Sequence, residues 1–329
     1  SSTSDRPCDR AGPMGDDPHL HPATTPLLRM ELLIDGLSKT YGNGVKALDD
    51  VTLHIPTGMF GLLGPNGAGK STLMRTVATL QEADSGTVRL RGNGTDIDVL
   101  ADKEAVRRVL GYLPQEFGVY PRVSAWQMLD HLALLKGVTR NGERRDLVDA
   151  LLKKVNLWDH RKRRISGFSG GMKQRFGIAQ CLIGDPLLII VDEPTAGLDP
   201  GERNRFYDLL TEIGEQVIVI LSTHIVQDVQ ELCSRMAIID QGQVRYSGPP
   251  ADALRAIRGR VWEKAIDKQE LEAVASQHQL ISHKLVAGRP IVHVLSDGTP
   301  GDGFKAAEPN LEDVFFSTLK GGITEHAPA

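Results

Sequence analysis

Long apolar runs are the first thing that this sequence lacks. The longest, residues 186–191 and 217–221, are far shorter than the ~20 residues that a helix needs to cross a bilayer. Cysteine is also scarce: the chain has three, with no spacing typical of a metal or redox site, which indicates a reducing compartment. The net charge is only −4, so the balance of charge does not indicate a nucleic-acid partner. Any role at a membrane is therefore expected to need a partner protein.

The remaining composition is typical of a globular protein, with 40% hydrophobic and 24% charged residues. The 329 residues are enough for one large domain and a smaller one. Residues 1–29 are rich in Pro, Ser, Asp and Thr, and we expect a disordered tail there. Between residues 30 and 248, short apolar stretches alternate with helical ones, which predicts an α/β domain with a mostly parallel sheet.

The sequence changes character after a Gly-Pro-Pro break at residues 248–250. We predict a small α+β domain at 249–320, with the order β-α-β-β-α, and a flexible tail at 321–329. Asp267 and Glu270 are spaced as a capping box at the start of its first helix. The predicted elements are strand 261–266, helix 267–277, strand 281–286, strand 290–295 and a helix through 319 that Asn310 caps.

Residues 64–72 read GPNGAGKST and fit the phosphate-binding pattern G-x-x-x-x-G-K-[ST]. The apolar run 59–63 before them indicates a buried strand and a helix opens at Thr72, which is the context that the pattern requires. Glycines let successive N–H groups approach phosphate oxygens, and the helix adds its positive N-terminal end. Lys70 is expected to neutralise the β- and γ-phosphates, and the Ser71 hydroxyl to bind Mg²⁺. The predicted ATP-binding residues of this loop are Gly64, Pro65, Asn66, Gly67, Ala68, Gly69, Lys70, Ser71 and Thr72.

A second apolar run, residues 187–191, ends in Asp192-Glu193. A buried strand of this kind delivers its last side chains to the carboxyl edge of the sheet, where ligands bind in open α/β folds. We expect Asp192 to hold Mg²⁺ and Glu193 to polarise the attacking water as a general base. The alternative is a pair of acids that only ends a strand.

Further segments make the chain resemble the ATP-binding subunit of an ABC transporter over about residues 31–248. Residues 166–175 (SGFSGGMKQR) are similar to the family's LSGGQ signature, with Phe168 and Met172 in place of the usual Leu and Gln. The resemblance implies a P-loop NTPase core with an N-terminal antiparallel β part and a helical subdomain inserted at about 116–167. The other matching segments are the Q-loop at 111–115, the D-loop at 196–200 and the switch histidine at 222–224.

Several site roles are implied by this resemblance. Tyr41 is expected to stack on the adenine, Asp199 to lie at the nucleotide, and His224 to donate a hydrogen bond to the γ-phosphate. The alternatives are that Tyr41 is only a residue of a turn and that His224 has only a structural role. Gln115 is expected to reach Mg²⁺ and to act as the hinge between the core and the helical subdomain. The predicted metal ligands are thus Ser71, Gln115 and Asp192, and the predicted catalytic residues are Lys70, Gln115, Glu193 and His224.

The Ser-Gly-Gly stretch at 169–171 stands before a helix and predicts a second anion-binding helix start. Because loop 64–72 already provides a complete cradle, this second start implies the ATP of another molecule. We therefore expect a head-to-tail homodimer that encloses two nucleotides, with pairing to a different subunit as the alternative. Phe117 and Tyr120 are expected to lie next to the groove that receives a separate transmembrane permease subunit, with local packing as the alternative. The predicted residues of the contact in trans are Ser169, Gly170 and Gly171.

The C-terminal residues help to distinguish export ATPases from import ATPases of the family. Residues 309–315 (PNLEDVF) resemble the ending of stand-alone ABC-2 type export ATPases, whereas sugar-importer ATPases usually carry a longer β-rich domain. We therefore expect the ATP-hydrolysing subunit of an exporter, cytoplasmic and held at the membrane by its permease, with no nucleic-acid partner. The alternatives are an importer ATPase, a cytosolic ABC ATPase that acts on ribosomes or DNA, and a regulator that does not hydrolyse ATP.

Overall fold

The computed structural model describes residues 30–115, 118 and 122–321. The predictions that lie outside these residues concern the tail 1–29, the tail 321–329 beyond its first residue, Phe117 and Tyr120. Within the described part of the chain, no helix combines the length and the apolar character that crossing a bilayer requires.

The strands and helices of the described residues are numbered in chain order. The strands are β1 (Glu31–Thr40), β2 (Lys46–Pro56), β3 (Gly58–Leu63), β4 (Ser85–Gly92), β5 (Thr95–Asp98), β6 (Leu110–Leu113), β7 (Leu188–Asp192), β8 (Ile218–Thr223), β9 (Arg235–Asp240), β10 (Gln243–Gly248), β11 (Val261–Ala265), β12 (Gln279–Val286), β13 (Arg289–Leu295) and β14 (Lys305–Ala306). The α-helices are α1 (Lys70–Val77), α2 (Lys103–Val109), α3 (Ala125–Leu135), α4 (Asn141–Lys154), α5 (Gly170–Cys181), α6 (Pro200–Gly214), α7 (Val226–Leu232), α8 (Pro250–Ile257), α9 (Leu271–Gln277) and α10 (Leu311–Leu319). Short 3-10 helices occupy Trp158–His160, Ile165–Gly167 and Lys268–Glu270.

The central sheet has the strand order β10-β9-β3-β8-β7-β6. Its strands run parallel except β10, which is antiparallel to β9. β7 and β8 are buried at every position, and alternate residues of β7 belong to two different hydrophobic clusters, one on each face of the sheet. Both faces are thus covered, which is why these strands are continuous apolar runs in the sequence. The predicted α/β fold with a mostly parallel sheet is confirmed.

The N-terminal sheet is antiparallel, with the order β2-β1-β4-β5. Leu32 and Ile34 of β1 alternate with more exposed residues, as expected for a sheet with one face in the core. They share a hydrophobic cluster with Leu73 and Met74 of α1 and with Ile190 of β7. The predicted N-terminal β part is therefore present, and α1 packs in the same core as both sheets.

The helical insert between β6 and α5 contains α3 and α4, which pack against each other and against α5. Ser124 caps α3 in a capping box with Gln127, and it pairs with Arg164 in an isolated β-bridge. The chain therefore enters and leaves the insert at neighbouring points. The predicted limits of this subdomain, about 116–167, stay a prediction.

The C-terminal part forms a third, antiparallel sheet in the order β12-β13-β11-β14. The predicted capping box between Asp267 and Glu270 is present, where a 3-10 turn precedes α9. The structure adds β14 and α8 to the predicted β-α-β-β-α order. The sequence predicts only a break at Pro250, but proline is well suited to the first turn of a helix, and α8 begins there.

Helix α10 joins this third sheet to the rest of the protein. Its residues Leu311, Val314 and Phe315 belong to the main hydrophobic cluster, together with Val229 of α7. On its other side, α10 is fixed to the sheet by the fully buried carboxylate of Asp313. The hydroxyl of Ser282 donates to this carboxylate at 2.8 Å, and the backbone N–H of Asn310 donates at 3.1 Å. His293 Nδ1 lies 2.9 Å from it.

Asp313→Ala is expected to lower the free energy of unfolding by about 2–4 kcal/mol, because Ser282 and His293 lose a buried partner and α10 loses its capping box. Chemical denaturation of the purified protein measures this change. The control is Glu308→Ala, since that side chain is 81% exposed and contacts Arg258 at 3.3 Å; its effect should stay within about 0.5 kcal/mol. Equal effects of the two substitutions would contradict the anchoring role of Asp313.

Candidate active site

The loop between β3 and α1 lies so close to other backbone segments that two of its positions require glycine. A Cβ atom on Gly64 would come within 2.3 Å of the carbonyl oxygen of Ile239. A Cβ on Gly69 would come within 2.4 Å of the carbonyl oxygen of Ala47, and its φ of +108° also favours glycine. The predicted phosphate loop is thus held from two sides by the strands around it.

Lys70 begins α1 and is only 5% exposed. Its Nζ donates hydrogen bonds to the carbonyl oxygens of Gly64, at 2.6 Å, and Pro65, at 3.0 Å, so the ammonium group folds back over the loop. Burial lowers the pKa of Lys70, while the charges of Glu193 and Asp192 act in the opposite direction. The cation therefore lies near both carboxylates that the sequence predicts for the site.

The start of α1 offers free N–H groups. Among the described residues, no side chain caps this helix and no acidic residue occupies its first turn. A helix start of this kind carries a partial positive charge and unpaired donors, so it favours a bound anion. The geometry therefore fits the phosphate groups of a nucleotide.

Tyr41 lies beside the same helix. Its hydroxyl is 3.0 Å from Thr72 Oγ1 and donates to Gln81 Oε1 at 2.9 Å. The structure therefore brings the predicted adenine-stacking residue to the phosphate loop. Gln81, which fixes the tyrosine hydroxyl, was not anticipated, because 40 residues separate it from Tyr41.

Asp192 and Glu193 follow β7 at the carboxyl edge of the central sheet. Asp192 is 7% exposed, and this burial raises the pKa of its carboxyl group, a shift that the nearby charge of Lys70 opposes. Glu193 has a φ of +45°, a left-handed conformation that costs a non-glycine residue about 1–3 kcal/mol. Its N–H donates to the carbonyl oxygen of Ser222 at 2.9 Å, so the neighbouring strand β8 supports this conformation.

The carboxylate of Glu193 is the meeting point of three predicted catalytic residues. Gln115 Nε2 donates to its Oε2 at 3.2 Å, and His224 Nδ1 lies 3.1 Å from its Oε1. These residues follow β6, β7 and β8, three neighbouring parallel strands whose carboxyl ends meet at one edge of the sheet. A carboxylate held between two polar groups at that edge can orient a water molecule as a general base.

The oxygen donors at this edge suit Mg²⁺. No group of three or more His, Cys, Asp or Glu side chains within the described ranges is placed to hold a metal ion by itself. The predicted ligands are instead a buried carboxylate (Asp192), an exposed hydroxyl (Ser71) and an amide (Gln115). Magnesium is commonly held by one or two carboxylates together with the phosphates of its substrate, so this donor set fits Mg²⁺ rather than a zinc site.

The second predicted anion site lies at the start of α5. Ser169 is the N-cap, and its Oγ accepts a hydrogen bond from the N–H of Met172 at 3.2 Å. Ser169 and Gly170 are exposed, whereas Phe168 is buried. Its ring packs edge-on against that of Phe176, with 6.3 Å between the ring centroids. Phe168 thus fills the core where the usual signature has leucine, and the exposed helix start remains open to a ligand.

Helix α5, which follows the predicted signature, packs against α6, which follows the predicted D-loop. A Cβ on Gly171 would come within 2.1 Å of Glu202 Oε2, so the carboxylate packs directly on this glycine. Glu202 also contacts Arg175 of α5 at 3.4 Å, and its N–H donates to Asp199, the N-cap of α6, at 2.9 Å. Glu202 could not be predicted, because nothing local in the sequence connects it with Gly171.

A buried polar cluster behind the site was also missed. Asp228 of α7 accepts hydrogen bonds from the hydroxyls of Thr195, Tyr207 and Thr223. Thr195 and Thr223 lie within two positions of the predicted catalytic residues Glu193 and His224. Asp228 and Val229 are the buried residues of α7, but nothing in the local sequence marks this acid as buried.

Comparisons with known proteins agree with this geometry. The family model "ABC transporter" matches residues 48–196. The uncharacterized ABC transporter ATP-binding protein YxlF of Bacillus subtilis is 30% identical over 304 residues, which are 88% of this chain and 99% of that protein. The daunorubicin/doxorubicin resistance ATP-binding protein DrrA of Streptomyces peucetius is 33% identical over 252 residues, 76% of this chain and 74% of that protein.

A solved structure shares both the fold and part of the sequence. It is a dimeric ATP-binding cassette in a post-hydrolysis state, bound to ADP and Pi. The match has a TM-score of 0.59 and 26% identity, and it covers 66% of this chain and 98% of the other. The chain therefore belongs to the ABC transporter family, as an ATP-binding subunit that hydrolyses ATP.

Proposed function

We propose that two copies of this chain pair head to tail around two ATP molecules and drive an ABC-2 type exporter through a separate membrane subunit. The observation that carries the proposal is the pair of helix starts in one chain. One lies at Lys70 in a complete phosphate loop, and the other is exposed at Ser169. The exposed N-terminus of α5 can bind the γ-phosphate of an ATP molecule that is held by a partner copy.

ATP binding follows from the loop geometry. The N–H groups of residues 64–72 surround the phosphates, and Lys70 exchanges its two carbonyl partners for the β- and γ-phosphate oxygens. Tyr41 offers its ring to the adenine. Mg²⁺, held by Ser71, Gln115 and Asp192, would supply positive charge against the phosphate oxygens.

Hydrolysis uses the residues around Glu193. Its carboxylate accepts a proton from the attacking water, while Gln115 donates to one of its oxygens and the His224 ring lies against the other. The N–H on the other ring nitrogen of His224 donates to the γ-phosphate, which links the presence of that phosphate to the geometry of the base. Charge repulsion between ADP and phosphate then favours separation of the two subunits.

Closure of the dimer depends on contacts that a single chain does not make. Residues 169–171 donate their N–H groups to the partner's γ-phosphate, and Asp199 lies nearby at the start of α6. Such charge-assisted hydrogen bonds form only in the ATP-bound dimer, so ATP shifts the equilibrium toward closure.

Ser169→Asp separates this contact from the stability of α5. Asp caps helices as well as Ser does, and its charge is favourable at a helix start, so the single chain should fold and bind ATP. The same charge repels a phosphate, and we expect ATP-dependent dimerisation to fail and ATPase activity to fall at least about tenfold. Sedimentation with and without ATP measures the first effect.

Ser169→Asn is the matched control, since it also caps the helix but adds no charge. It should retain dimerisation and most of the activity. Equal loss in both variants would indicate a general packing defect, and full dimerisation of the Asp variant would contradict a phosphate contact at Ser169.

The export direction and the membrane partner are inferred from the C-terminal residues and from the relatives. Residues 309–315 resemble the ending of ABC-2 export ATPases and lie at the start of α10, and DrrA is a resistance protein by name. We place the complex at the cytoplasmic face of the membrane and expect no nucleic-acid partner. Co-purification of a membrane subunit, followed by transport in vesicles of known orientation, tests both points. Uptake into cells, or ATPase activity stimulated by ribosomes or DNA, would contradict the proposal.

A further inference from the structure

The side chain of Asp228 is fully buried, and the mechanism above gives it no role. Its Oδ2 accepts hydrogen bonds from Thr195 Oγ1 at 2.6 Å and from Thr223 Oγ1 at 3.0 Å. Its Oδ1 accepts from the hydroxyl of Tyr207 on α6. One carboxylate thus accepts hydrogen bonds from hydroxyl groups on three separate segments of the chain.

Two of these segments carry the proposed catalytic residues. Thr195 lies two positions after Glu193, and Thr223 immediately precedes His224. Thr223 Oγ1 also accepts from the N–H of Ile225 at 2.9 Å, so this hydroxyl fixes the turn on both sides of His224. The shared acceptor on Asp228 therefore connects the segment that follows β7 to the end of β8.

The stability of the fold does not by itself explain why a buried carboxylate stands at this position. Burying a charge costs free energy, and exchanging a buried polar network for well-packed apolar residues is often neutral or stabilising. The three hydroxyl donors satisfy Asp228 and make its position well defined. Burial and the contact with Asp228 raise the pKa of Tyr207, so this side chain stays a neutral donor.

We propose that Asp228 is a positioning residue for ATP hydrolysis: through Thr195 and Thr223 it holds Glu193 and His224 in contact. The inference rests on the proposed roles of those two residues. The contact in question is the 3.1 Å separation between His224 Nδ1 and Glu193 Oε1. Glu193 also needs support because its backbone is in a strained conformation. Small displacements of a catalytic group lower the rate strongly without changing substrate binding.

Asp228→Leu and Thr195→Val test the inference. Leu has the same branched shape but no acceptor oxygen, so all three hydroxyl groups lose their partner, and Val removes one hydroxyl donor with little change in shape. We expect kcat to fall about tenfold in Asp228→Leu and about fivefold in Thr195→Val, with the ATP KM within about twofold of wild type. The double variant should lose little more than Asp228→Leu alone, because both changes break the same hydrogen bond.

Thr318→Val is the matched control, because Thr318 is also a buried threonine whose hydroxyl donates to a carbonyl, that of Val314 in α10. Its kcat should equal that of wild type. The inference is overturned if Thr195→Val lowers only the melting temperature, or if the double variant shows additive losses. If Asp228→Leu does not fold, the kcat of Thr195→Val decides. Full turnover by Glu193→Gln would instead refute the proposed general base, which is a separate failure.

Discussion

Glu193→Gln is expected to stop ATP turnover and to leave an ATP-bound dimer as the main species. The amide keeps the size of the carboxylate and can still contact Gln115 and His224, whose groups lie 3.2 and 3.1 Å from the carboxylate oxygens. It cannot accept a proton from water, and removal of a general base lowers kcat by about 10²–10⁴-fold. Binding and closure use other groups, so they should persist.

Two measurements separate these effects. Steady-state phosphate release gives kcat, and sedimentation in the presence of ATP and Mg²⁺ gives the fraction of dimer. Glu104→Gln is the control, because the Glu104 side chain is 80% exposed and pairs with Arg108 on the surface of α2. Wild-type turnover by Glu193→Gln would refute the general-base role, and loss of ATP binding would show that Glu193 serves the nucleotide pocket instead.

The parts of the fold and site that the sequence predicted are those with local causes. The phosphate loop has a fixed spacing because the backbone must wrap around phosphate, and Gly64 and Gly69 stand where a Cβ would collide with backbone. The meeting of Gln115, Glu193 and His224 could be predicted from topology, since each follows a parallel strand of one sheet.

The features that escaped prediction depend on distant contacts. Asp228 meets Thr195 across 33 positions of the chain, and Glu202 meets Gly171 through the packing of two helices. No local pattern marks such pairs, because each pair forms only when elements that are distant in the chain pack together. α8 was missed for a different reason: Pro250 stops a strand and can equally start a helix, and only the surrounding core decides.

Lys70→Ala is expected to lower the affinity for ATP by at least about a hundredfold, which is ~2.7 kcal/mol. The side chain is the cation that the phosphate loop offers to the β- and γ-phosphates, and each charge-assisted hydrogen bond contributes about 1.5–3 kcal/mol. Asp192 and Glu193 lie close enough to influence the pKa of Lys70. Without the ammonium group, these carboxylates would repel the triphosphate as well. Calorimetry of ATP binding to the purified protein measures the loss.

The variant must be shown to fold, because Lys70 is buried and its Nζ holds the carbonyl groups of Gly64 and Pro65. Burial of the cation itself costs free energy, so its removal offsets part of the lost hydrogen bonding, and we expect a melting temperature near that of wild type. Lys154→Ala is the control for charge, since Lys154 pairs with Glu212 on the surface. A folded Lys70→Ala protein that binds ATP as tightly as this control would show that the triphosphate does not lie in loop 64–72.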